Sequence, residues 1–156
     1  AVAALKKKGF NKKNFKALHP KGSLGAQLKT AEDLMITKKG IPFINENSDM
    51  KTALSVMTKK KLGVLIAINK NKSTTGIITD GQIRRSSQKN NNLKKLTVKN
   101  VMTRNPISID KDTLASKSLS IMSEKKITSL CVHKNGKKKI TIGLLHLHAL
   151  LKANIQ

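Results

Sequence analysis

The sequence predicts an α+β fold made of two copies of one β-α-β-β-α unit. Residues 76–85, GIITDGQIRR, recur in altered form as residues 143–152, GLLHLHALLK. In both copies a glycine opens a short apolar strand that leads directly into a helix. The helical run LSVM at 54–57 recurs in the same way as LSIM at 119–122. A repeat of this length is an architectural unit, and two such units, related by a pseudo-twofold axis, complete each other's core.

The first repeat reads as a short strand at 41–44 followed by a helix with an apolar stripe on one face. A continuous apolar strand at 63–68 comes next. A polar turn then leads to a second strand at 75–79 and to a helix at 82–87. Because the middle strand is apolar on both faces, it is expected to be buried on both.

The second repeat follows the same order. Its strands are predicted at 107–109, 129–133 and 140–145, with a lysine-rich hairpin tip between the last two and a helix at the end of the chain. The helix between the first two strands carries Leu114, Leu119, Ile121 and Met122.

Side-chain caps are predicted at the start of the long helix in each repeat, from Ser48 or Asp49 in the first and from Asp110 or Asp112 in the second. Ten apolar residues of the two repeats are expected to be buried. They are Leu54, Met57, Ile66, Ile68, Ile77, Leu119, Met122, Leu130, Val132 and Leu144.

The composition argues against several classes of function. The chain of 156 residues has a formal charge of +24, but only three of its 32 basic residues are arginines and it has no Tyr or Trp, so we expect no specific nucleic-acid partner. It lacks a long apolar run and a signal-peptide core, which predicts a cytoplasmic protein without a membrane partner. Cys131, in an apolar run, reads as a small buried hydrophobe.

Residues 30–153 resemble a pair of CBS domains, often called a Bateman module. The resemblance rests on GIITDG followed by Arg84 and Arg85, and on VMTRNP at 101–106. It divides the chain into a tail at 1–29, a first CBS domain at 30–88, a linker at 89–97 and a second CBS domain at 98–156. The resemblance also implies a homo-oligomer, in which two CBS pairs form a dimer and the full protein forms a tetramer.

The residues in front of the pair narrow the resemblance. Gly9-Phe10, Phe15 and HPKGSLG at 19–25, together with HLHALL at 146–151, are similar to the C-terminal half of arabinose 5-phosphate isomerases. In that family a sugar-isomerase (SIS) domain precedes the CBS pair. Residues 1–29 are therefore expected to be the tail of an upstream SIS domain, and this chain alone is expected to be an inactive fragment.

The resemblance implies a reaction for the parent protein. The family interconverts D-ribulose 5-phosphate and D-arabinose 5-phosphate, which supplies the octulosonate of lipopolysaccharide, and it needs no cofactor. A proton moves between C1 and C2 through an enediol, which requires acid and base groups that titrate near neutral pH. His19 matches the family's active-site histidine. Because Lys21 replaces a family glycine, the alternative is a loop histidine that no longer functions.

CBS pairs usually hold adenosine nucleotides in their clefts, with an Asp three residues after a Ser or Thr binding the ribose. Here Gln82 follows Thr79 at that spacing, and in the second copy His146 and Ala149 replace both residues. Asp80 is either a turn residue or a ligand-binding residue. Arg84 and Arg85 either meet phosphate groups or form a solvated helix face. The ligand is expected to be a sugar nucleotide or nucleotide.

Two alternative hypotheses about the function of the chain remain. One is a free-standing CBS module that senses nucleotides or binds a partner without catalysis, and another is a basic domain that binds nucleic acid. No metal site is expected at His146 and His148, even with His133 near, because no Cys or carboxylate accompanies them in the sequence.

Overall fold

The structure, a computed structural model, describes residues 24–89 and 91–156, so the prediction for His19 lies outside the described residues. The helices in this part are α1 Leu24–Gln27, α2 Ala31–Leu34, α3 Met50–Lys60, α4 Asp80–Lys89, α5 Val98–Val101, α6 Ala115–Lys125 and α7 Leu147–Lys152. The strands are β1 Ile36–Thr37, β2 Phe43–Asn45, β3 Val64–Ile68, β4 Thr74–Thr79, β5 Thr103–Arg104, β6 Ser108–Asp110, β7 Ser129–His133 and β8 Gly143–His146. Short 3-10 turns lie at Lys38–Gly40 and Leu93–Lys95.

The two predicted repeats are present. The first is β2-α3-β3-β4-α4 and the second is β6-α6-β7-β8-α7, so the α+β class and the β-α-β-β-α order are confirmed. In each repeat the first strand pairs parallel with the second, and the second pairs antiparallel with the third. The strands that end at Thr79 and His146 therefore occupy equivalent positions.

Each sheet is completed by a strand that leads into the other repeat. The four-stranded sheets have the orders β1-β8-β7-β6 and β2-β3-β4-β5. β1 precedes the first repeat but pairs with β8 of the second, whereas β5 precedes the second repeat but pairs with β4 of the first. The sequence does not predict either strand, since each has two residues.

Two glycines leave room for β1 and β5, which we call the exchanged strands. A Cβ on Gly143 would collide with the side chain of Met35, and a Cβ on Gly76 would collide with that of Met102. Met35 lies immediately before β1, and Met102 lies immediately before β5. The glycines that open the repeated sequence motif are thus required for close approach between the repeats.

Three apolar clusters form the core. One combines the first repeat with apolar residues between Leu93 and Met102, a second combines the second repeat with Ala31, and a third contains residues of both repeats, including Val64, Ile66 and Cys131. Burial raises the pKa of the Cys131 thiol to about 11, so this thiol stays protonated at neutral pH. No helix in the described ranges is both long and apolar enough to span a membrane.

Six of the ten residues predicted to be buried are buried: Met57, Ile66, Met122, Leu130, Val132 and Leu144. The prediction is wrong for Leu54, Ile68, Ile77 and Leu119, which are half-buried. Leu54 and Leu119 lie at the border of the apolar stripe of their helices, and Ile77 faces the cavity described below. An apolar pattern identifies the face of an element but not how completely its neighbours cover it.

The helix caps differ between the repeats. Asp49 caps α3 as predicted, since its carboxylate accepts a hydrogen bond from the backbone N–H of Thr52 at 2.8 Å. The predicted cap of α6 is wrong, because this helix is preceded by Leu114, which offers no side-chain cap. Asp110 instead accepts from the backbone N–H of Asp112 in the turn before the helix.

Candidate ligand site between the repeats

A cavity of about 660 Å³ lies where the two repeats meet. Both strand-to-helix junctions line it, the β4–α4 junction of the first repeat and the β8–α7 junction of the second. The loop between β5 and β6 and residues 126–129 complete its wall. Of the residues predicted to bind a ligand, Thr79, Asp80, Gln82, Arg85 and His146 line the cavity, whereas Arg84 is not among its lining residues.

Gln82 is held by the protein itself. Its side-chain oxygen accepts hydrogen bonds from the backbone N–H of Thr79 at 2.8 Å and from the Thr79 hydroxyl at 3.3 Å. Its amide nitrogen donates to the hydroxyl of Thr103 on β5. Gln82 therefore caps α4 and ties it to an exchanged strand, which occupies the groups that a ligand would otherwise use.

His146 is a buried histidine, with 8% of its surface exposed. Its Nδ1 accepts the backbone N–H of His148 at 3.1 Å, which caps α7. Burial lowers the pKa of His146, the neighbouring His148 lowers it further, and a hydrogen bond with the backbone of Leu62 acts in the opposite direction. His146 thus joins the second repeat to the first as a neutral ring.

The charged lining of the cavity is mainly cationic. Arg85 comes from the first repeat and Lys126 from the second, and the guanidinium of Arg85 lies beside Gly81 in the first turn of α4. Asp80 is the one carboxylate among the lining residues that the structure describes. It is held against Gly63, whose carbonyl accepts the backbone N–H of Asp80 at 3.1 Å. An anion is the ligand charge that this lining favours.

Sequence reasoning missed part of the cavity wall. Thr103, Asn105, Pro106 and Ile107 line it although none was predicted as a site residue. Asn105 adopts the left-handed conformation, with φ of 53°, which turns the loop toward the cavity. The one available signal was the Asn-Pro pair, a common turn dipeptide. Ala149, at the predicted ribose position of the second repeat, does not line the cavity.

Metal binding finds no support within 24–89 and 91–156, where no cluster of three or more His, Cys, Asp or Glu side chains could hold an ion. His146 and His148 lie with ring centroids 4.5 Å apart, but the Nδ1 of His146 is already used as a helix cap. His146 therefore acts in the structure of the β8–α7 junction.

Solved structures with the same fold include CBS-domain proteins. The structure of CBSX2 in complex with AMP matches with a TM-score of 0.69 and 21% identity over 80% of this chain and 94% of that chain. The structure of CBSX2 from Arabidopsis thaliana matches with a TM-score of 0.68 and 20% identity over 80% of this chain and 92% of that chain. The CBS domain pair of protein MJ0100, solved in complex with 5-methylthioadenosine and S-adenosyl-L-methionine, matches with a TM-score of 0.70 and 19% identity over 80% of this chain and 94% of that chain. At these identities the likeness shows the fold alone.

Curated relatives match over nearly the whole chain. Arabinose 5-phosphate isomerase KdsD of Salmonella typhi is 34% identical over 156 residues, which are 99% of this chain and 47% of the relative. An uncharacterized protein of Rickettsia prowazekii (strain Madrid E) is 33% identical over 95% of this chain and 45% of its own length. The chain thus spans about half the length of these relatives.

The family model for the CBS domain matches twice, at residues 31–89 and at residues 98–155. These two matches coincide with the two repeats that build the sheets and enclose the cavity. The chain therefore belongs to the CBS domain family and is a CBS-domain pair.

Proposed function

We propose that this chain is the C-terminal CBS pair of an arabinose 5-phosphate isomerase and serves as its regulatory or assembly module. One observation carries the proposal. The similarity to KdsD covers 99% of this chain, whereas the first CBS match begins at residue 31. The similarity thus includes the residues in front of the CBS pair, where a CBS pair fused to an unrelated protein would have no reason to match an isomerase.

The proposed parent reaction interconverts D-ribulose 5-phosphate and D-arabinose 5-phosphate. His19, in the HPKGSLG loop of this chain, would transfer the proton between C1 and C2. The phosphate-binding part of the site would come from the SIS domain. The cytoplasmic location, the role in lipopolysaccharide synthesis and the homo-oligomer belong to the same proposal.

The proposal is tested by comparing this chain with the protein from the complete reading frame. We expect the complete protein to convert ribulose 5-phosphate to arabinose 5-phosphate and the 1–156 chain to show no turnover, because the remaining catalytic groups are outside it. Nuclear magnetic resonance of the sugar phosphates measures both directions of the reaction. A complete protein that leaves ribulose 5-phosphate unchanged would refute the proposal.

We also propose that the cavity takes an anionic sugar or sugar nucleotide of the parent's pathway in preference to adenosine nucleotides. Arg85 and Lys126 offer positive charge to such a ligand. No carboxylate is available to bind a ribose at either predicted position, since Gln82 caps its own helix and Ala149 does not reach the cavity. Losing a charged hydrogen bond of this kind removes about 1.5 to 3 kcal/mol, which is roughly a ten- to hundredfold loss of affinity.

Isothermal calorimetry on the 1–156 chain tests this ligand class. We expect AMP and ATP to bind weakly or not at all and arabinose 5-phosphate to bind more tightly, and we expect Arg85→Ala to weaken that binding roughly tenfold or more. Arg84→Ala is the matched control, because Arg84 is next in the chain but does not line the cavity. Gln82→Asp should restore some adenosine binding, and micromolar binding of AMP to the unmodified chain would refute the preference.

A further inference from the structure

Six exposed lysines lie in two turns at one edge of the molecule, which we name the lysine edge. One turn joins β3 to β4 and the other joins β7 to β8. The lysines are Lys70, Lys72, Lys134, Lys137, Lys138 and Lys139. No arginine and no Phe, Tyr or Trp accompanies them in these two turns.

The pseudo-twofold arrangement of the repeats brings the two turns together. The backbone N–H of Thr74 donates to the carbonyl of Lys139 at 2.7 Å, and the hydroxyls of Thr74 and Thr141 are 2.6 Å apart. The cavity lies at the opposite ends of the same strands, where β4 ends at Thr79 and β8 ends at His146. The lysine edge is therefore a second surface, separate from the cavity.

The charges of the lysine edge are not neutralised by nearby carboxylates. The side-chain amide group of Asn135 lies against the carboxylate of Asp110. Lys111 forms the ion pairs with Asp112 at 3.1 Å and with Glu32 at 3.7 Å, and these carboxylates raise its pKa, Asp112 most strongly. Across the described ranges, no ion pair within 4.0 Å joins a lysine of the edge to a carboxylate.

An apolar side chain lies among these lysines. Ile140 follows Lys139 directly and has 42% of its surface exposed. Protein interfaces are depleted in lysine. Single-stranded nucleic acid is commonly recognised by bases stacking on aromatic or arginine side chains, which the two turns lack. Lysines around an exposed aliphatic side chain suit a lipid surface, where the cations meet anionic head groups and the apolar group enters the acyl boundary.

We propose that the lysine edge is a docking surface for an anionic phospholipid membrane. The sequence alone predicts no membrane partner, because the chain lacks a long apolar run and the lysines of the edge come from two segments that are far apart in the sequence. In the folded protein, turns from two distant parts of the sequence lie side by side, so that their lysines form one surface. The contact is peripheral, with the head groups at the lysines and Ile140 at the level of the first methylene groups.

Vesicle co-sedimentation of the full chain at physiological salt tests the proposal, with phosphatidylcholine vesicles that contain or lack phosphatidylserine. The test variant combines Lys70→Ser, Lys72→Ser, Lys137→Ser and Lys139→Ser. Its matched control removes the same charge from other exposed sites, with Lys51→Ser, Lys94→Ser, Lys117→Ser and Lys125→Ser. We expect binding only to the anionic vesicles, a loss of more than about tenfold in the test variant and a loss of less than about threefold in the control.

Ile140→Ser separates surface insertion from charge alone, and we expect it to weaken vesicle binding about fivefold without changing thermal stability. An equal loss in the two four-lysine variants would overturn the proposal, because the effect would then follow total charge. If the test variant instead lost binding to duplex DNA but kept its binding to vesicles, the lysine edge would be a nucleic-acid surface and the proposal would also fail.

Discussion

Replacing His19 by alanine in the complete protein should lower the rate of ribulose 5-phosphate isomerisation by about 10²- to 10⁴-fold, the usual contribution of a positioned general acid or base. The expectation follows from the proposed function. An enediol reaction needs a group that both accepts and donates a proton near neutral pH, and imidazole is the side chain suited to it. The measurement is kcat and KM for ribulose 5-phosphate in the unmodified and variant proteins.

The chain supplies a control for this variant. His148→Ala removes a histidine from the CBS pair, at an exposed position where it lines the cavity between the repeats. We expect it to leave kcat in the absence of effectors within about threefold of the unmodified enzyme, inside the range of ordinary surface changes. If His19→Ala kept full activity, His19 would be the loop histidine without a function and Lys21 would mark the loss of the family's site.

The sequence predicts the parts of the fold that carry local signals. β7 has the predicted bounds of 129–133. Asp49 caps α3 as predicted, because the signal for a helix cap lies within four consecutive residues. The exchanged strands β1 and β5 have no such signal. Each is too short to show an alternating pattern, and its partner strand belongs to the other repeat.

The candidate site is likewise predictable from the sequence only in part. The resemblance to CBS pairs implies that Thr79, Gln82 and His146 lie beside a cleft, and all three line the cavity. The sequence does not reveal that Gln82 is engaged with Thr103, because that partner lies 21 residues away on an exchanged strand. A match to a family motif can therefore place a residue at a site, but which of its hydrogen-bonding groups are free depends on the tertiary structure.

The exchanged strands also lead us to expect that the two repeats unfold together. Leu65→Ala in the first repeat and Leu130→Ala in the second should each lower the free energy of unfolding by about 2 to 5 kcal/mol, since both leucines are fully buried and belong to different clusters. Leu54→Ala and Leu119→Ala are the matched controls at half-buried positions, and their losses should be smaller.

Urea unfolding measured by circular dichroism should show one transition for all of these proteins, with the midpoint lowered by either core variant. The reason is that neither sheet is complete without a strand that leads into the other repeat, and that a third cluster joins Val64 and Ile66 to Cys131 across the repeats. A cavity in one repeat therefore destabilises both. Two separate transitions, of which Leu65→Ala moved one and Leu130→Ala the other, would show that the repeats fold independently and that the exchanged strands contribute little to the stability of the pair.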